Sequence, residues 1–272
     1  LAILKAGDHI VAASTLYGGT VGQLGIGFGR LGIETTFVDN PDDLDSWRAA
    51  VRPNTKAFFA ETISNPQIDI LDIPGVAGVA HDNGVPLIVD NTIATPYLIQ
   101  PIAHGADIVV HSATKYLGGH GSAIAGVIVD GGNFDWTASG RFPGFTEPDP
   151  SYHGVVFADL GAPAYALKAR VQLLRDLGSA AAPFNSFLIA QGLETLSLRV
   201  QRHVDNTLAL AQFARFVIAH GLGFRFLLRL FAANPGTPFV QWIYQASEPV
   251  LYPFRDIFPT RLVEPNHVFE FG

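Results

Sequence analysis

Ile108-Val-Val-His-Ser-Ala-Thr-Lys-Tyr-Leu-Gly-Gly-His-Gly121 opens as an apolar, β-branched run and closes as a glycine-rich turn. A run of this length and composition is a buried strand. One strand earlier, Pro86-Leu-Ile-Val-Asp-Asn-Thr92 repeats the design, an apolar run ending in an acid and hydroxyl-bearing residues. Working outward, candidate strands fall at 10–14, 34–39, 55–62, 86–91, 108–112 and 123–130. Helix-length segments separate them, around 18–31, 42–51, 73–83 and 97–104. Strands that alternate with helices build βαβ units, so the fold class is α/β with a mostly parallel sheet flanked by helices. Ligands of such sheets gather at the carboxyl ends of the strands. Tyr17, Glu61, Asp90 and Ser112 all fall at or just past such ends.

The residues at those ends suggest one chemistry. Taken alone, Lys115 is a loop lysine like any other, and Asp90 a turn residue before Asn91 and Thr92. Lys115, however, follows an apolar strand and precedes two glycines, which let backbone approach a ligand. A carboxylate at the end of Leu-Ile-Val needs a partner when buried. A lysine able to form a Schiff base, an acid able to pair a pyridinium nitrogen, and hydroxyls at Ser112 and Thr114 able to hold a phosphate meet the needs of pyridoxal 5′-phosphate. Tyr17, in Leu16-Tyr17-Gly18-Gly19-Thr20, reads either as a core tyrosine beside a turn or as a platform stacking on a planar cofactor. Asn65 either initiates a turn before Pro66 or donates its amide to a cofactor phenolate.

Composition narrows the alternatives. The 272 residues are 48% hydrophobic and 15% charged, which suits a buried α/β core. A net charge of −7 without a basic run argues against a nucleic-acid surface. With no cysteine, neither a disulfide framework nor a thiolate metal site exists. His9, His81, His104, His111, His120 and His153 lack close ligand spacing, so no metal site is expected. Gly27-Phe-Gly29 lacks the third glycine of a dinucleotide fingerprint, and Gly119-His-Gly-Ser lacks the frame of a nucleophile elbow.

The two ends read differently from the middle. Leu1-Ala-Ile-Leu-Lys-Ala-Gly-Asp8 reads as the close of a helix already under way, with Gly7 as its stop. No methionine and no signal-peptide pattern stand there, so the chain reads as a fragment cut at Leu1. Residues 141–165 read as an ordered loop rich in proline and aromatics, and 163–213 as helical with a break near Pro183. After about 213, composition shifts to five arginines, no lysine and an apolar, proline-rich text. Arg225 and Arg229 interrupt that apolar stretch, which is too short for a membrane span. An interfacial or buried amphipathic helix fits it equally well.

Tyr17-Gly-Gly-Thr20, Glu61-Thr-Ile-Ser-Asn-Pro66, Val89-Asp-Asn-Thr92 and Ser112-Ala-Thr-Lys115 together resemble the marks of the Cys/Met-metabolism family of pyridoxal-phosphate enzymes. Phe145-Thr-Glu-Pro-Asp-Pro-Ser-Tyr-His-Gly154, Lys168–Gly178 and Gln191–Arg199 resemble its O-acetylhomoserine sulfhydrylase branch. The resemblance covers residues 1–213. It implies the large domain of the fold type I transferases, truncated at the N-terminus and lacking the family's C-terminal domain. The cofactor-binding large domain would span 1–165, and a helical segment 166–213 would lead toward that absent domain. Residues from about 217 to 272 resemble instead a fragment of the YggT family of small bacterial membrane proteins. That likeness rests on Phe226–Phe239 and Pro249–Pro259, and implies two unrelated segments joined near 213.

The resemblance also implies roles. Lys115 would carry the cofactor and shuttle protons, and Asp90 would pair the ring nitrogen. Tyr17 would stack on the ring and assist leaving-group departure. Asn65 would touch the ring hydroxyl, Ser112 and Thr114 would bind phosphate, and Thr92 would pack near the ring's other face. The implied reaction is γ-replacement on O-acetyl-L-homoserine by sulfide, giving L-homocysteine and acetate. Related cystathionine or methionine γ-chemistry, or a non-catalytic fragment, is the alternative. A cytoplasmic homo-oligomer, a dimer of dimers, is implied as well.

Overall fold

All six apolar runs become strands of one sheet in the computed structural model of the chain. They are β1 (His9–Ala13), β2 (Glu34–Val38), β3 (Thr55–Glu61), β4 (Leu87–Asp90), β5 (Ile108–Ser112) and β6 (Gly126–Asp130). The order across the sheet is β2-β1-β3-β4-β5-β6. The first five run parallel and β6 returns antiparallel. Parallel neighbours need a long crossover, usually a helix; residues 113–125 hold only turns, so the chain doubles back. The structure describes residues 1–230, 234–251, 261–264 and 267–269. They form two compact units, Leu1–Val200 and Gln201–Gly272.

Apolar side chains drive this arrangement. Every residue of β1 is buried, and Phe58 of β3 stacks on Trp47 with ring centroids 5.3 Å apart. The helix Ile73–Asp82 begins at Asp72, whose carboxylate accepts from the Gly75 amide at 3.1 Å. It buries Ile73, Val76, Ala77, Val79 and Ala80, the three larger side chains contributing roughly 1.5–3 kcal/mol each. At its far end His81 bonds Asp107 at 2.8 Å, and the same carboxylate oxygen accepts from the Leu87 amide where β4 begins. The Asp107 carboxylate raises the His81 imidazole above its ordinary range.

Several boundaries depart from the sequence reading. No helix precedes Gly7; Lys5 and Asp8 bond each other's backbone and carboxylate in a tight turn, with Gly7 at φ +87°. The expected helix over 97–104 splits into Thr95–Leu98 and a 3-10 turn Pro101–His104, because Ile99 is extended and Pro101 supplies no amide. The last expected strand starts at Gly126, not 123, because Ala125 bonds Thr114. Loop 141–165 contains short helical turns at Pro143–Thr146 and Phe157–Leu160. Its aromatics hold it: Phe145 stacks on Trp136 at 4.0 Å, and the buried Lys168 lies over the Phe145 and Phe157 rings. Beyond it, the chain breaks at Gly178 and Pro183, then forms Pro183–Glu194 and Leu196–Leu230. That last helix runs through position 213, where composition changes.

In the second unit the buried Arg225 donates to the Tyr244 carbonyl, the Ser247 hydroxyl and the Glu248 carboxylate, at 2.9–3.1 Å. The last three residues belong to the helix Pro238–Leu251. No described helix is long and apolar enough to cross a membrane. Much of the YggT-like stretch, including 252–260, lies outside the described residues.

His9 generates a pH test. Its ring is fully buried between the Thr55 and Thr36 hydroxyls, at 2.8 and 2.9 Å. Burial, assisted by the Arg52 charge and opposed by Glu34, pushes its imidazole down to about 4. The unfolded chain therefore takes up this proton first, and stability falls as pH drops from about 6.5 toward 4. Between pH 7.5 and 5 this group alone removes about 2 kcal/mol. Urea unfolding at both pH values, for the native chain and His9→Gln, should show a difference of that size. Equal pH dependence in both would refute the assignment.

Candidate active site

Three of the parallel strands deliver acids or hydroxyls to one end of the sheet. Glu61 closes β3, Asp90 closes β4 and Ser112 closes β5, with Glu61 and Asp90 paired in register. Tyr17 follows β1 by a four-residue bend. Side chains alternate along a strand, so Asp90 and Ser112 share one face, and Asn91 and His111 take the other. On that other face a concavity of about 430 Å³ is lined by Asn91, Gln100, Ile102, Val109, His111 and Val129. It holds none of the residues singled out in the sequence.

Hydrogen bonds organise the first face into two linked groups. In one, the buried Glu61 carboxylate accepts from the Tyr17 amide at 2.8 Å and the Asn65 amide at 3.1 Å. Two loops from distant parts of the chain are thereby fixed by one side chain. In the other, Asp90 Oδ1 accepts from both the amide and hydroxyl of Thr92, at 2.8 and 2.5 Å. The Thr92 hydroxyl in turn accepts from the Ser112 amide at 2.8 Å, which ties the end of β4 to the end of β5. The Lys115 amide donates to the Ser112 carbonyl at 3.1 Å, which starts the turn that carries the lysine. Strand register joins the two groups, and the charges interact. Burial raises the Glu61 carboxyl, the Asp90 charge adds to the rise, and the two amide donors oppose it.

Each residue predicted from the sequence lies at this end of the sheet. Tyr17 is 55% exposed, an open aromatic surface. Lys115 is exposed, and its amine has no hydrogen-bond or ion-pair partner among the described residues. Asp90 is half-buried and is in no ion pair there; both its bonds fall on Oδ1, which leaves Oδ2 for an incoming donor. The Ser112 hydroxyl has no partner among the described residues, whereas the Thr114 hydroxyl already bonds the Ala125 backbone at 3.2–3.3 Å. Asn65 is exposed, its side chain unengaged among the described residues. Thr92 orients Asp90 through its hydroxyl, a role the sequence did not suggest. Glu61 was visible as a strand end, but its service to Tyr17 and Asn65 needed coordinates.

One carboxylate with an open oxygen, an exposed lysine, an open ring and a spare hydroxyl suit a flat molecule that is cationic at one edge and anionic at another. Such a molecule would set its N–H on Asp90 and its anion on the Ser112–Thr114 turn.

Comparison with known proteins identifies the family. The Cys/Met metabolism PLP-dependent enzyme family matches residues 1–216. O-acetyl-L-homoserine sulfhydrylase of Corynebacterium glutamicum is 57% identical over 217 residues, covering 78% of this chain and 50% of that protein. Homocysteine synthase of Schizosaccharomyces pombe is 55% identical over 214 residues, with the same two coverages. Among solved structures, an O-acetylhomoserine (thiol)-lyase of Campylobacter jejuni, carrying a pyridoxyl-lysine monophosphate, superposes with TM-score 0.74. It is 39% identical over 78% of this chain and 53% of its own. Cystathionine gamma-lyase of Lactobacillus plantarum gives 0.64 at 33% identity, over 79% of this chain and 48% of its own. The chain spans about half the length of the curated relatives it matches.

Glu61→Ala removes the shared acceptor from both loops. Amide exchange at Tyr17 and Asn65, followed by NMR, should accelerate at least ~10-fold, with stability lower by roughly 2 kcal/mol. Unchanged exchange at both amides would remove Glu61 from the framework of the site.

Proposed function

The chain belongs to the Cys/Met metabolism PLP-dependent enzyme family, and from that premise we propose that it carries the cofactor-binding part of an O-acetyl-L-homoserine sulfhydrylase. The overall reaction breaks the Cγ–O bond of O-acetyl-L-homoserine, forms a Cγ–S bond to sulfide, and releases acetate and L-homocysteine. The observation that carries this reading is Asp90, a strand-end carboxylate with one oxygen held and the other open, one strand away from an unpartnered lysine. The residues fit the cofactor: an acid without a cation meets a protonated pyridine nitrogen, and a spare hydroxyl meets phosphate.

Pyridoxal phosphate supplies the electron sink that makes carbon acids of this kind accessible. The chain's own residues do the rest. Asp90 Oδ2, open to a donor, would hold the protonated ring nitrogen, while Thr92 fixes the carboxylate's rotation. Tyr17 would offer its exposed ring as a stacking surface and its hydroxyl to the departing acetate. The Lys115 amine would hold the cofactor and move protons between the substrate's Cα and Cβ. Ser112 donates to phosphate, and Thr114 can do so by exchanging its bond to the Ala125 carbonyl while still accepting from the Ala125 amide. Asn65 offers its side-chain amide to the ring oxygen. Cofactor binding falls within residues 1–165 on this reading, in a cytoplasmic protein that assembles as a homo-oligomer.

The native chain incubated with pyridoxal phosphate and then freed of unbound cofactor by gel filtration should retain absorbance near the visible edge, and Lys115→Ala should abolish that retained band. Asp90→Asn should keep the band but weaken cofactor retention ~10-fold, equivalent to about 1.4 kcal/mol. A band that survives Lys115→Ala would overturn the assignment of the lysine.

A further inference from the structure

We propose that Arg199 is a positioning residue for Lys115, acting through the backbone of the turn that carries the lysine. This rests on the reading of Lys115 as the cofactor-bearing amine. Arg199 lies on the first turn of the helix Leu196–Leu230, more than eighty positions away in sequence, yet its guanidinium reaches the Lys115 turn. One terminal nitrogen donates to the Tyr116 carbonyl at 2.9 Å. The other donates to the Gly192 carbonyl at 2.8 Å and, at 3.5 Å, to the Leu117 carbonyl. Nε donates to the Thr195 hydroxyl at 3.0 Å, which fixes the plane of the fork. Among the described residues it meets no carboxylate, so its full positive charge faces three carbonyl oxygens and one hydroxyl.

The fit of the turn to this clamp is close. Gly119 has φ +74°, and a Cβ there would lie 2.6 Å from the Arg199 guanidinium carbon. Gly192 faces the same turn so tightly that a Cβ would meet the Gly118 carbonyl oxygen at 2.1 Å. The bonds Gly118 N–H to Ala113 O and Gly119 N–H to Lys115 O, both 2.8 Å, then define the lysine's backbone. Apolar packing of Ala113 and Leu117 with Ile189 and Leu196 supports the turn from beneath. Packing sets where the turn lies, whereas the guanidinium fork sets the rotation of the Tyr116–Leu117 and Leu117–Gly118 peptide planes, the second and third after Lys115. The lysine's approach direction depends on those planes.

The test compares the full native chain with Arg199→Gln, Arg199→Lys and Val76→Ala, the last a core truncation in a different hydrophobic cluster from the turn. Each is incubated with graded pyridoxal phosphate and reduced with borohydride, and pyridoxyl incorporation at Lys115 and at exposed Lys5 is measured by mass spectrometry. Deuterium exchange of the peptide spanning 113–121 is measured without cofactor. The concentration for half-incorporation at Lys115 should rise about tenfold in Arg199→Gln, be restored to within about threefold by Arg199→Lys, and stay unchanged at Lys5. Exchange across the turn should rise in Arg199→Gln. Val76→Ala should lower the melting temperature while leaving half-incorporation at Lys115 within twofold of native. A native-like value in Arg199→Gln, or an equal loss in Val76→Ala, would overturn the inference. Should the native chain trap no more at Lys115 than at Lys5, the cofactor reading fails. Exchange then decides the role of Arg199 alone, and an unchanged turn in Arg199→Gln refutes it.

Discussion

A single threonine hydroxyl, that of Thr92, holds the working end of the sheet together. It donates to Asp90 Oδ1 and accepts from the Ser112 amide, so the acid of β4 and the hydroxyl-bearing end of β5 cannot move apart independently. Parallel strands leave their terminal amides and carbonyls without ladder partners, and a side chain that accepts one such amide also fixes its neighbour's geometry. The carboxylate is thus oriented before any ligand arrives. Preorganisation of this kind spares the ordering cost that binding would otherwise carry.

Glu61 and Asp90 sit side by side in register, and among the described residues neither is in an ion pair. The Glu61 carboxyl is raised by burial first, then by the neighbouring charge. Like charges placed together by strand register are more often a feature of sites than of scaffolds. Glu61 uses both its oxygens on loop amides and Asp90 uses only one. The division of labour between the two acids, one structural and one open to a ligand, follows from that difference.

The strands were legible because β-branched and apolar residues cluster in short runs such as Pro86–Asp90 and Ile108–Val110, and periodicity alone suffices there. The parallel order followed from the helices between them. Breaks inside helical text were less legible, since Ile99 and Gly178 interrupt segments whose composition favours continuation. Among the candidate site residues, Lys115, Asp90, Ser112 and Tyr17 announced themselves by falling at or just past strand ends. The tasks of Thr92 and Glu61 did not, because both act on backbone amides brought near only by folding. Arg199 was hidden more deeply: eighty-odd residues separate it from its carbonyl partners, and an arginine at the start of a helix carries no mark of what it grips.

β6 forms one border of the sheet and carries Val127, Ile128 and Val129 in exposed positions. Its outer row of peptide groups has no ladder partner among the described residues. Open borders of this composition template further strands, and natural sheets usually blunt them with lysine, proline or a bulge; none interrupts Gly126–Asp130. This rim therefore adds a strand edge prone to self-association to the chain's surface. Gatekeeper charge placed at Val127, whose register partner His111 lies on the face opposite Asp90 and Ser112, is where that tendency can be lowered without touching the ligand face.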